Sequence, residues 1–94
     1  MALTELPRPT MDRELALFEV AADELSRVQV IELAAVFRAR VLAVEDTSIT
    51  IEAVGAPQEI DALEELLSDF GVVASTRTGP LSLHRGLRFP RKRD

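Results

Sequence analysis

The sequence predicts an α+β domain in which one antiparallel four-stranded sheet carries two helices on one face. Three observations carry this. Four short stretches are rich in β-branched and aliphatic residues, two longer stretches place apolar residues at helical spacing, and the six follow one another as strand, helix, strand, strand, helix, strand. That order is the split βαβ, ferredoxin-like βαββαβ pattern, whose helices segregate to one side of the sheet.

Residues 1–12 read as an N-terminal arm or linker, because Pro7 and Pro9 hold the chain extended and nothing there is periodic. From Glu14 to Val20 both alternating sets are apolar, Leu15 and Leu17 against Ala16, Phe18 and Val20, as in a central strand covered on both faces. Ser26, with Gln29 three residues on, makes a capping-box signature for the first helix. Val28, Ile31 and Ala35 form one stripe, and Val30, Ala34 and Phe37 a second beside it. A broad apolar face lying on the sheet is therefore expected, with the helix ending near Arg38, where a cation suits the negative end of the dipole. Arg40–Glu45 and Ser48–Val54 read as a hairpin around the polar turn Asp46-Thr47. Gly55 breaks the strand and Pro57 opens the second helix. Ile60, Leu63, Leu66, Leu67 and Phe70 are its apolar face, and Gly71 stands at the left-handed cap. Val72–Thr76 is the fourth strand, Arg77-Thr78-Gly79-Pro80 a turn, and Leu81 and Leu83 alternate briefly before a basic end.

Composition excludes several classes of function. With 94 residues, 47% apolar and 29% charged, the chain supports one core and one domain. It has no cysteine, which removes disulfides, thiolate metal sites and a thiol nucleophile, and its single histidine, His84, cannot build a multi-histidine metal site. No serine or aspartate stands at recognisable triad spacing from His84, so no catalytic residue is assigned and no cofactor is expected. The carboxylates Glu64, Glu65 and Asp69 read as the solvated face of the second helix, and the glycines form no phosphate-binding loop. The net charge is −5, and only four aromatic residues are present, all phenylalanine, so neither double- nor single-stranded nucleic acid is an expected partner. No apolar run approaches a membrane span and the N-terminus is no signal peptide, so a cytoplasmic protein is expected. Charge is uneven: residues 1–84 carry −9, and residues 85–94, a basic tail over 87–94 included, carry +4.

Three segments together resemble the C-terminal domain of the small regulatory subunit of acetolactate synthase: Arg13-Glu14-Leu15-Ala16-Leu17, Val36-Phe37-Arg38-Ala39-Arg40-Val41, and Arg77-Thr78-Gly79 leading to Arg85-Gly86, with Ser48-Ile49-Thr50-Ile51-Glu52 between the last two. The likeness covers about residues 12–86 in order, and the domain itself is placed at residues 13–86. It implies a non-catalytic regulatory and assembly domain that associates with a thiamine-diphosphate-dependent catalytic (large) subunit in branched-chain amino-acid biosynthesis. Arg38, Arg77, Thr78, Gly79, Arg85 and Gly86 are its candidate interaction residues. Family small subunits begin with an ACT-type domain that binds a feedback amino acid, and nothing in residues 1–12 matches it, so a fragment and a stand-alone relative are both open. The alternative reading is a stand-alone dimeric sensor of a small molecule such as an amino acid. The candidate residues also have a purely structural reading, a positive φ at Gly79 and helix-end charges at Arg38 and Arg40. A sheet face left without helices, in a chain whose first strand is apolar on both sides, implies a homodimer.

Overall fold

The computed structural model describes residues 10–84. Its elements are β1 (Thr10–Ala21), α1 (Glu24–Val36), β2 (Arg40–Val44), β3 (Ser48–Gly55), α2 (Pro57–Ser68), β4 (Val72–Arg77) and β5 (Leu81–His84). The strands run in the order β2-β3-β1-β4, every pair antiparallel. This is the expected ferredoxin-like arrangement.

Alternation in β1 decides which residues enter the core. Ala16, Phe18 and Val20 point to the helices and are buried. Leu15, Leu17 and Glu19 point the other way and are partly exposed. Across the register, Ala16, Phe18 and Val20 stand opposite Ala53, Ile51 and Ile49 of β3, which are also buried. Ile60, Leu63 and Leu67 of α2 and Val30 and Ala34 of α1 close this layer. Full burial of each large aliphatic or aromatic side chain contributes about 1.5–3 kcal/mol.

Four expectations are corrected. Residues 10–12, assigned to the arm, are the start of β1, because β5 gives them a partner: Thr10 to Arg13 pair with His84 to Leu81. The sheet thus gains a short fifth strand. The first helix begins earlier than Ser26. Asp23 is the N-cap, its carboxylate accepting the Ser26 amide at 2.8 Å, while the Ser26 hydroxyl accepts the Asp23 amide at 2.9 Å. Ser26 is therefore the third-position member of the capping box, not its first residue. These bonds, the Ser26 amide foremost, hold the Asp23 carboxyl below its ordinary value. The broad face of α1 divides: Val30 and Ala34 are buried, whereas Val28 and Ile31 are exposed. The helix sits over β2 and β3 near the sheet edge, so its outer stripe meets no element of the described chain. Finally, no cation occupies the last turn of α1; Arg38 lies just beyond it.

At that exit Phe37 is the C-cap and Arg38 is left-handed, with φ 57°. The Ala39 amide donates to Ala34 O (2.8 Å) and the Arg38 amide to Ala35 O (3.0 Å), the paired bonds of a Schellman motif. Glycine is the usual residue there. The exit of α2 follows the expected chemistry, Gly71 adopting φ 103°.

Candidate functional site

Arg77, at the end of β4, is the hub of a charged cluster. β4 pairs with β1 so that Arg77 stands opposite Ala16, two residues beyond Glu14 on the same strand face. Glu14 belongs to the buried parity set of β1 and its side chain is 3% exposed. A carboxylate at such a position requires partners. Arg77 Nη2 donates to Glu14 Oε2, and the Gly79 amide donates to Glu14 Oε1 at 3.1 Å. The other guanidinium nitrogen, Nη1, meets Asp61 at 2.8 Å and Glu64 at 3.0 Å on the outer face of α2. The hydrogen bond from Arg77 is the main cause of a Glu14 pKa held below the ordinary carboxylate value, opposed by desolvation and helped by the Arg77 charge and the Gly79 amide. The same carboxylates push the Arg77 pKa up.

Thr78 and Gly79 complete the cluster. The Thr78 amide donates to Leu15 O (2.9 Å) and its hydroxyl accepts the Leu15 amide (3.1 Å), so a side chain continues the β1–β4 ladder by one rung. Gly79 takes φ 79°, turning its amide onto Glu14. The Arg-Thr-Gly segment thus fastens β4 to β1 and α2. Glu14 and Asp61 were not among the sequence-based candidates. A lone carboxylate on the apolar parity set of a central strand is the signal that could have found Glu14; nothing in the α2 pattern distinguishes Asp61 from its acidic neighbours.

Arg38 is not part of this cluster. It lines a cleft of about 470 Å³ where the exit of α1 faces the first turns of α2. Arg13 also lines it, as do Phe37, Glu59, Ile60 and Leu63. Glu59 caps α2 by accepting the Ala56 amide at 3.0 Å, and it folds so closely over Gly55 that a Cβ there would lie 2.6 Å from Glu59 Oε1. The remaining two candidates, Arg85 and Gly86, lie outside the described residues, as does the basic tail. The face of the sheet opposite the helices presents Leu15, Leu17, Glu19, Thr50, Glu52 and Val54, with Val54 exposed and both leucines half-buried. Arg40 pairs with Glu52 on this face at 3.7 Å. Three or more metal-ligating side chains do not converge anywhere among the described residues, and no described helix is long and apolar enough to cross a membrane.

The geometry therefore defines a small ferredoxin-like domain whose charged motif ties its own strands and α2 together and whose mixed apolar and polar sheet face and apolar outer helix stripe stand open. The pattern of the family described as "Small subunit of acetolactate synthase" matches residues 13–86. The acetolactate synthase small subunit of Mycolicibacterium smegmatis is 42% identical over 79 residues, covering 84% of this chain and 46% of the relative. The chloroplastic acetolactate synthase small subunit 1 of Nicotiana plumbaginifolia is 40% identical over 77 residues, covering 82% of this chain and 17% of the relative. The crystal structure of the acetolactate synthase small subunit from Thermotoga maritima superposes with a TM-score of 0.79 at 30% identity, over 88% of this chain and 51% of that one. The chain belongs to the acetolactate synthase small-subunit family. It corresponds to a small-subunit domain and not to a catalytic chain, and it spans about half the length or less of these relatives.

Proposed function

We propose that this domain is a regulatory and assembly element that associates with the thiamine-diphosphate-dependent catalytic subunit of acetolactate synthase, in branched-chain amino-acid biosynthesis in the cytoplasm. It supplies no catalytic group of its own. The observation that carries this reading is the family match across residues 13–86, supported by a superposition that covers nearly the same stretch.

The surface is consistent with an associating domain. Leu15, Leu17 and Val54 are neighbours across the β1–β3 register on the side that has no helix. Leu25, Val28 and Ile31 on α1 and Leu42 and Val44 on β2 are exposed as well. Exposed apolar side chains on the open sheet face and the outer side of α1 support an associating role. The open sheet face is assigned to pairing with a second copy, giving a homodimer. Arg85 and the arginines of the tail that follows it are assigned to the catalytic subunit: the acidic body would repel an acidic partner, and guanidinium groups grip carboxylates in bidentate fashion. Exposed charges of this kind act on association rate and salt dependence more than on final affinity.

The test is to capture partners of the tagged chain from extract of its own cells. Co-capture of the thiamine-diphosphate-dependent subunit is expected. Capture of every other abundant protein but not that subunit would overturn the proposal.

A further inference from the structure

We propose that the cleft between the exit of α1 and the first turns of α2 binds a small aliphatic monocarboxylate. This reading stands apart from docking on a catalytic subunit, and either can fail without the other.

Positive charge is scarce and unevenly engaged. Residues 10–84 contain five arginines in a strongly acidic stretch. Three are engaged: Arg27 donates to the carbonyls of Glu45 and Asp46, Arg40 pairs with Glu52, and Arg77 holds Glu14, Asp61 and Glu64. The other two, Arg13 and Arg38, form no ion pair and no side-chain hydrogen bond among the described residues, and both line this one cleft. They come from opposite ends of the fold's first half, 25 positions apart. Two unengaged guanidinium groups converging on one concavity form an anion site in outline, since each offers a planar fork matched to a carboxylate.

The cleft has the size and lining of a small-molecule site. About 470 Å³ lies within the range of roughly 300–1,000 Å³ usual for small-molecule sites. Val36, exposed, and Phe37, half-buried, give the cleft an apolar wall, with Ile60 and Leu63 buried beneath it. Glu59 brings one negative charge to the lining, so the net charge around the cleft is that of a single cation. A monoanion balances it. A dianionic phosphate would face Glu59 without a third cation to offset the repulsion. An apolar body on a single carboxylate satisfies both halves of the wall.

Arg38 is itself unusual in its backbone. It occupies a left-handed position, φ 57°, where glycine carries no steric penalty. Residues held in unfavourable backbone regions gather at ligand clamps. The same position also supplies a decisive variant, because Arg38→Gly removes the guanidinium while relieving the backbone.

The experiment is a titration of the isotope-labelled chain followed by NMR. The probes are 4-methylpentanoate, 4-methylpentan-1-ol, which has the same body without the charge, and inorganic phosphate. Saturable shifts at the Arg38, Ala39 and Ile60 amides are expected with the carboxylate, with at least tenfold weaker binding of the alcohol. Arg38→Gly and the double variant Arg13→Gln/Arg38→Gln should each weaken carboxylate binding at least tenfold, and Arg38→Gly should do so with its melting temperature undiminished. The proposal is overturned by an absence of saturable shifts at these amides, by equal binding of the alcohol, or by unchanged affinity in Arg38→Gly. Tighter binding of phosphate at the same amides would equally overturn the assignment to a monocarboxylate.

Discussion

Replacing Arg38 by glycine should stabilise the domain. Arg38 sits at φ 57°, the residue after the C-cap of α1, and its Schellman bonds come from backbone amides alone, so the side chain takes no part in them. An L-residue in the left-handed region costs about 1–2 kcal/mol. Glycine removes that cost but adds roughly 0.4–1 kcal/mol of unfolded-state entropy. The difference centres on about 0.8 kcal/mol within a span of about 0–1.6 kcal/mol, and the central value raises the melting temperature of a domain of this size by about 3–6 °C. The assay is thermal unfolding followed by circular dichroism, with denaturant unfolding as a check that the slope is unchanged. Arg38→Ala is the control, since it keeps the strained backbone and removes the charge; it should stay within about 0.5 kcal/mol of the parent. A fall in melting temperature for Arg38→Gly comparable to the expected rise would refute the reasoning. It would mean that the guanidinium makes stabilising contacts and is not held in reserve for a ligand.

Three further outcomes follow from the geometry. The Glu14 pKa is lowered in the folded state, so its contribution is present above the unfolded carboxylate value and disappears as pH falls through the folded one; Glu14→Gln should therefore flatten the acid limb of a stability–pH profile, and an unchanged limb in equilibrium unfolding would contradict this. Gly55→Ala should displace the Glu59 carboxylate from the Ala56 amide, a loss of about 0.5–1 kcal/mol at the helix cap, read as a shift of the Ala56 amide resonance and a lower denaturation midpoint. Leu17→Asp places a charge on the open face without entering the core, whereas Phe18 is wholly buried; sedimentation should show the parent as the proposed dimer and the Leu17 variant folded and monomeric, and a monomeric parent would contradict this.

The parts of this fold legible in the sequence were those set by local chemistry. The alternation of Ser48 to Val54, Pro57 in the first helical turn and Gly71 past the last one each constrain their own backbone, and the structure places them as local rules require. The start of α1 was misread because two overlapping segments can form a capping box. Asp23 prevailed over Ser26, placing Glu24, Leu25 and Ser26 inside the helix. The exposed side of α1 was not legible, because only its place over β2 and β3 decides which of two apolar stripes is covered. The role of Arg77 was hidden for the same reason. Its motif was visible, but its partner Glu14 is 63 residues away and meets it only through the β1–β4 register. The cleft is more hidden still, since Arg13, Arg38 and Glu59 have no pattern in common until three elements converge.

Association with the catalytic subunit is the central claim, and titration calorimetry of the purified chain against the purified thiamine-diphosphate-dependent large subunit of the same cells tests it most directly. The domain as described predicts saturable, stoichiometric binding whose salt dependence falls when residues 87–94 are deleted. No detectable binding at micromolar concentrations of both proteins, at low salt and with the parent chain folded, would contradict it.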